Sequence, residues 1–191
     1  MEFIKIKGTD IETSRIGLGA WAIGGWLWGG SEERESIDTI HEALDSGINL
    51  IDTAAIYGFG RSEEIVGKAL EEYGGRDKIV IATKCGLDWT SGKVFRNSER
   101  DRIRKEVEDS LERLRTDYID IYQVHWPDYE TSFEEPALAM KELFDEGKIR
   151  AIGVSNYNIE QLDIFRSISP LHTSQPPYNI FERDIDKDIA P

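Results

Sequence analysis

Gly47-Ile48-Asn49-Leu50-Ile51-Asp52-Thr53-Ala54 and Ile79-Val80-Ile81-Ala82-Thr83-Lys84 each carry a short aliphatic run that closes on an ionisable side chain. Two further runs follow the same rule. Tyr118-Ile119-Asp120-Ile121-Tyr122-Gln123-Val124 ends on His125, and Ile149-Arg150-Ala151-Ile152-Gly153-Val154 ends on Ser155-Asn156. Their length and their Ile and Val content suit strands, and apolar residues on both faces suit buried parallel ones. Segments of helical period separate them. Strand and helix in alternation predict an α/β fold of the (β/α)8 TIM barrel type, whose active site gathers at the carboxyl ends of its strands. One ionisable group per strand end is hard to obtain from packing alone. It points to an enzyme.

The rest of the chain fits around these runs. Residues 3 to 13 alternate in polarity about Gly8-Thr9-Asp10 and predict an N-terminal β-hairpin. A first barrel strand is expected near Ile16 to Ala20, followed by a loop rich in Gly and Trp up to Gly30. Helices are expected over Glu32 to Asp45 with Ser31 as N-cap, Ser62 to Tyr73 with Ser62 as cap, and Ser98 to Arg115 with a Ser98–Asp101 capping box. Phe133 to Glu146 and Ile159 to Ile168 follow, the latter behind an Asn158–Gln161 capping box. Gly86 to Asn97 reads as a loop, His172 to Gln175 as a sixth strand, and Glu182 to Pro191 as the start of a helix. Gly17-Leu18-Gly19-Ala20-Trp21-Ala22 fits a dinucleotide fingerprint, but it runs into Ile23-Gly24-Gly25-Trp26, which is poor helix material, so the match is set aside.

Composition narrows the function classes. The formal net charge is −14 and the pI about 4.7, with no basic face of the kind nucleic-acid binders carry. Membrane spanning is not expected, since no apolar run approaches the roughly 20 residues a helix needs to cross a bilayer. The N-terminus has no basic segment leading into an apolar one, and Cys85 is the single cysteine. A reducing, cytoplasmic location is therefore expected. Residues 1–191 are read as one barrel domain holding six βα units. A full barrel takes about 250 residues, so the chain is expected to be the N-terminal two-thirds of a longer protein.

The strand ends suggest specific chemistry. Asp52 and Tyr57 share one loop, and Lys84 ends the next strand, about 4.8 Å away. Asp52 can pair with Lys84, and the ammonium can point at the Tyr57 hydroxyl. A neighbouring cation favours the phenolate, so a lowered Tyr57 pKa is expected. Tyr57 then serves as general acid/base toward an alkoxide or alcohol, with His125 orienting the substrate oxygen. Such a set suits reduction of an aldehyde or ketone beside a hydride donor. Taken singly, each residue has a duller reading: a helix cap for Asp52, a solvated strand end for Lys84, a backbone-bonded core histidine for His125, loop packing for Tyr57. Their convergence in one cleft is what shifts the balance. His41 and His172 lack such company and read as structural, Cys85 as core filler. No metal is expected, for want of spaced ligands. Trp21, Trp26 and Trp126 lie in loops on the mouth side and are candidates for the substrate pocket wall.

In these residues the chain resembles an aldo-keto reductase. The carriers are Gly47 to Ala54 with Tyr57-Gly58, Ser62-Glu63-Glu64, Thr83-Lys84, Ser110-Leu111 to His125-Trp126-Pro127, Gly147 to Asn156, Gln175 and Tyr178-Asn179. The resemblance covers the whole chain and is greatest to bacterial members acting on general aldehydes and sugar-like or polyol substrates. It implies NADPH, less often NADH, as cofactor, without a metal. It implies a catalytic tetrad falling on Asp52, Tyr57, Lys84 and His125, and a nicotinamide carboxamide held by Ser155, Asn156 and Gln175. The partner it implies is a small carbonyl or polyol substrate. The same fold also serves as channel-associated subunits that hold cofactor and turn over poorly. A cofactor-binding regulatory role, or a catalytically inert fragment, therefore stands as the alternative.

Overall fold

The structure, a computed structural model, describes residues 1–30 and 32–188. Its centre is a six-stranded parallel sheet: β3 (Leu18–Gly19), β4 (Leu50–Asp52), β5 (Val80–Cys85), β8 (Ile119–Val124), β9 (Ile149–Ser155) and β10 (Thr173–Gln175), paired in that order. A hairpin of β1 (Phe3–Lys5) and β2 (Glu12–Ser14) precedes it. Helices α1 (Glu33–Asp45), α2 (Arg61–Tyr73), α3 (Arg100–Leu114), α4 (Glu134–Asp145) and α5 (Ile159–Ile168) make the crossovers. A short α6 (Ile185–Asp188) comes last. This is the barrel-type α/β fold read from the strand runs.

The sheet buries both faces, against different partners. Ile51, Ile81, Tyr122, Val124, Ile152 and Val154 pack outward against helical residues such as Ile40, Val66, Val107, Met140 and Phe165. Leu50, Val80, Ala82, Ile121 and Ala151 point inward, where Ile6 and Ile11 of the hairpin plug the concave side. Strand side chains alternate with period two. Counting up from the plug, Leu50 leads to Asp52, Val80 and Ala82 to Lys84, Ile121 to Gln123 and His125, and Ala151 to Gly153 and Ser155. One parity rule therefore sends the polar strand ends into the concave mouth. The sheet curls enough for the Gln175 amide on β10 to reach the Asp52 carboxylate on β4 across that mouth, at 3.3 Å.

Several local expectations are corrected. The first barrel strand is only Leu18–Gly19, shorter than expected, although the Ala20 N–H still bonds Asp52 O on β4. Ser62 lies inside α2, whose N-cap is Gly60; its buried hydroxyl bonds Ala20 O and Thr53 Oγ1, tying two strand ends together. Helix α3 is capped at Glu99 without a side-chain bond. Ser98 instead gives its backbone N–H to Asp128, which displaces the expected Ser98–Asp101 box. Gly86 to Asn97 holds a hairpin, β6 (Leu87–Thr90) with β7 (Lys93–Arg96). Its two-residue turn, Ser91-Gly92, has positive φ at both positions, as a primed turn requires. Histidine 172 precedes β10 rather than opening it. Ser31, expected as the α1 cap, and residues 189–191 lie outside the described residues. The Asn158–Gln161 capping box is present, with both reciprocal bonds.

Candidate active site

Lys84 anchors the mouth. Its ammonium is almost wholly buried and bonds both Asp52 oxygens at 2.8 Å and Thr53 O at 2.9 Å. An ammonium has three donors, so these contacts use all of them. The Tyr57 hydroxyl lies 3.5 Å away, a residual contact. This alters the electrostatics expected from sequence. Burial, reinforced by Asp52, pushes the Tyr57 phenol up rather than down. Burial also lowers Lys84, with Asp52 and Glu63 opposing. Lysine and aspartate together are close to neutral, so they offer a phenolate little; Tyr57 stays protonated at neutral pH.

Tyr57 is held by its backbone and by its ring. It lies where the β3–α1 loop touches the β4–α2 loop. A Cβ on Gly24 would stand 2.6 Å from the Tyr57 carbonyl carbon, and one on Gly58 2.1 Å from Gly24 O. Only glycines permit that approach, and Gly58 also sits at φ +65°. Trp21 stacks on the Tyr57 ring at 5.9 Å, and His125 meets it edge-on at 5.8 Å. His125 is buried, yet among the described residues neither ring nitrogen has a hydrogen-bond partner. Burial, then Lys84, depress its pKa to about 3, so the imidazole is neutral.

These groups open on a cleft of about 460 Å³. Tyr57, His125, Ser155, Asn156 and Gln175 supply its polar lining; Trp21, Trp26 and Trp126 are among its apolar walls. Asp52 and Lys84 sit behind Tyr57. Trp28 and Trp89 do not line the cleft: Trp28 packs edge-on against Trp21, and Trp89 against Phe59. Leu87 and Val94 of the β6–β7 hairpin also line it. Sequence reading misses them because residues 86 to 97 read as a loop. The available signal was the Ser-Gly turn between two apolar-containing tetrapeptides.

At the far wall, Asn156 adopts φ +63°, which asparagine tolerates better than most residues. Its amide nitrogen bonds His125 O at 3.0 Å and Ser155 Oγ at 2.9 Å, and Ser155 Oγ donates to Gln175 O at 2.9 Å. Among the described residues, Asn156 Oδ1 and Gln175 Oε1 have no partner, and one N–H of Gln175 is unspent. Two acceptors and a donor side by side fit a primary amide, whose NH2 seeks acceptors and whose carbonyl seeks a donor. A nicotinamide carboxamide meets that description. Elsewhere, His41 bonds Ala69 O and His172 accepts from Ile152 N, both structural roles. Cys85 is buried in the outward core.

Residues 15–191 match the model of the Aldo/keto reductase family. The chain belongs to the aldo/keto reductase family. Similar chains include aldo-keto reductase YhdN of Bacillus subtilis, 62% identical over 191 residues, covering all of this chain and 58% of that protein. The NADH-specific methylglyoxal reductase of Escherichia coli is 42% identical over 206 residues, covering all of this chain and 63% of the relative. Among solved structures, a glycerol dehydrogenase from Gluconobacter oxydans superposes with a TM-score of 0.92 at 57% identity, over 98% of this chain and 58% of that one. The chain thus spans about six-tenths of the length of these relatives. The barrel-type fold is shared with them.

Proposed function

We propose that the protein is an NAD(P)H-dependent oxidoreductase that reduces aldehydes or ketones, or oxidises the corresponding alcohols and polyols. One observation carries this reading: a protonated phenol, Tyr57, beside a neutral imidazole in an apolar cleft, with the Lys84–Asp52 pair behind it. The bound dinucleotide supplies a hydride. Tyr57 gives its proton to the substrate oxygen as general acid, and takes it back as base in the oxidative direction. His125 donates its one N–H to that oxygen and fixes its position. Asp52 holds Lys84 charged and in place. Ser155, Asn156 and Gln175 hold the carboxamide, and Trp21, Trp26 and Trp126 wall the substrate. The upward-shifted phenol favours the donor role near neutral pH, so alcohol oxidation rises toward alkaline pH, where the phenolate forms.

NADPH is the proposed cofactor form on the family resemblance, with NADH as the competitor; parallel titrations of the two decide. A cytoplasmic location belongs to the same proposal and rests on the single buried cysteine.

Tyr57→Phe in the intact protein removes the proton donor and leaves the ring. Turnover of an aldehyde panel falls by roughly a hundred- to ten-thousand-fold. NADPH affinity, read by cofactor fluorescence, stays within a few-fold. Undiminished turnover removes Tyr57 from the chemistry. Cofactor binding without turnover in the unsubstituted protein favours the regulatory-subunit reading, and absence of both favours an inert chain.

A further inference from the structure

Arg96 stands apart from the arginines around it. Arg76 pairs with Asp120, Arg102 with Asp88 and Glu106, and Arg113 with Glu63. Among the described residues, no carboxylate forms an ion pair with Arg96, and no hydrogen bond engages its guanidinium. The absence of a direct ion pair is notable in a chain of net charge −14. Asp128 feels the Arg96 charge, which helps to lower its carboxyl, but its oxygens accept from Ser98 N, Glu130 N and Thr131 Oγ1 and make no ion pair with the guanidinium.

Two aromatic rings hold the guanidinium in place, Trp126 at 5.5 Å and Tyr129 at 5.4 Å. Stacking restrains the side chain while leaving its fork of N–H donors unspent. The register of the hairpin gives its direction. Arg96 is the cross-strand partner of Leu87, and lies two residues from Val94 on the same strand. Both relations put side chains on one face of the ribbon. Leu87, Val94 and Trp126 all line the cleft that holds Tyr57 and His125. Arg96 is therefore an exposed, oriented cation with no direct ion pair, stacked on Trp126 at the rim of the cleft.

We infer that Arg96 receives an anionic group, and that the site favours carbonyl substrates bearing a carboxylate or phosphate. The substrate half of this inference rests on the function proposed above. A planar guanidinium binds either anion through two parallel hydrogen bonds.

Matched substrates test it: 4-oxobutanoate against its neutral amide, and glyceraldehyde 3-phosphate against glyceraldehyde. Arg96→Gln loses about tenfold more kcat/KM on the anionic member than on the neutral one, mainly through KM. Arg96→Lys falls between, and added salt narrows the gap. The member pair with the larger loss tells carboxylate from phosphate. Equal losses within both pairs overturn the inference. So does a rise confined to the KM for NADPH with a neutral substrate, which would assign Arg96 to the cofactor phosphate.

If the unsubstituted protein turns over none of these compounds, the proposed function fails, and the anion site is read separately. Succinate and inorganic phosphate are titrated against tryptophan fluorescence. A saturable change that Arg96→Gln abolishes supports the site; no saturable change in the unsubstituted protein overturns it.

Discussion

His125 illustrates how an environment selects a protonation state. Its backbone is tied at both ends, N–H to Cys85 O and C=O to the Asn156 amide, while its ring is left to the cleft. Burial and the Lys84 ammonium both oppose imidazolium, and the pKa falls from 6.5 to about 3. The folded value lies below the unfolded one. The contribution of neutral His125 to stability is thus complete above about pH 6.5 and is lost as pH drops toward 3. Between pH 5 and 8 an NMR titration of His125 is expected to show a constant, neutral ring. A midpoint near 6.5 would mean the imidazole is not shielded, and would change the role proposed for it from hydrogen-bond donor to proton source.

Among elements, the β6–β7 hairpin owes its position to α3. Glu106, buried on α3, accepts from Gly86 N at 2.8 Å, where the chain leaves β5 for the hairpin. Arg102, one turn earlier, bridges Glu106 and Asp88 at 3.3 and 3.2 Å. Burial raises the Glu106 pKa to about 8, with the Gly86 N–H and Arg102 opposing. A raised carboxyl contributes stability that is fully present below about pH 4.5 and is lost as pH rises through about 8. Glu106→Gln keeps an acceptor for Gly86 and cannot ionise. Urea unfolding from pH 5 to 8 should therefore decline less steeply in this variant than in the parent. Glu106→Ala leaves the Gly86 N–H unpaired and costs about 2 kcal/mol at neutral pH. Equal pH slopes in parent and Gln variant would remove Glu106 from the account.

On the scale of the molecule, the two ends of the sheet are built differently. At the amino ends of the strands, buried Asp120 takes Arg76, Arg150 and the Ile81 N–H, and Arg150 reaches Asp10 of the hairpin. At the carboxyl ends, polar groups are left with unspent valence around a cleft. Stability is invested at one end and chemistry at the other, as in barrels generally. The sheet itself stays open, since β3 and β10 occupy its two edges and do not pair with each other. Exposed strand edges invite pairing with another chain. The 191-residue chain on its own is expected to self-associate with rising concentration in sedimentation velocity. A monomer across the micromolar range would show that the edges are already protected.

Much of this was legible in the chain itself. Aliphatic runs ending on Asp52, Lys84, His125 and Ser155-Asn156 set the strand order and, through period-two alternation, the side of the sheet each side chain faces. Both are local properties. The hairpin at Leu87 to Arg96 was only faintly legible: Leu87-Asp88-Trp89-Thr90 alternates in polarity, but each strand is four residues long and Lys93-Val94-Phe95-Arg96 does not alternate. Nor could sequence give the sign of the Tyr57 shift. The types Tyr, Lys and Asp permit either direction. The outcome depends on Lys84 spending its donors on Asp52 and Thr53, and on how much water reaches the phenol, and both are set by packing between segments far apart in the chain. The unpaired state of Arg96 is of the same kind: a cation is visible in sequence, but only the folded arrangement decides which carboxylates come near it.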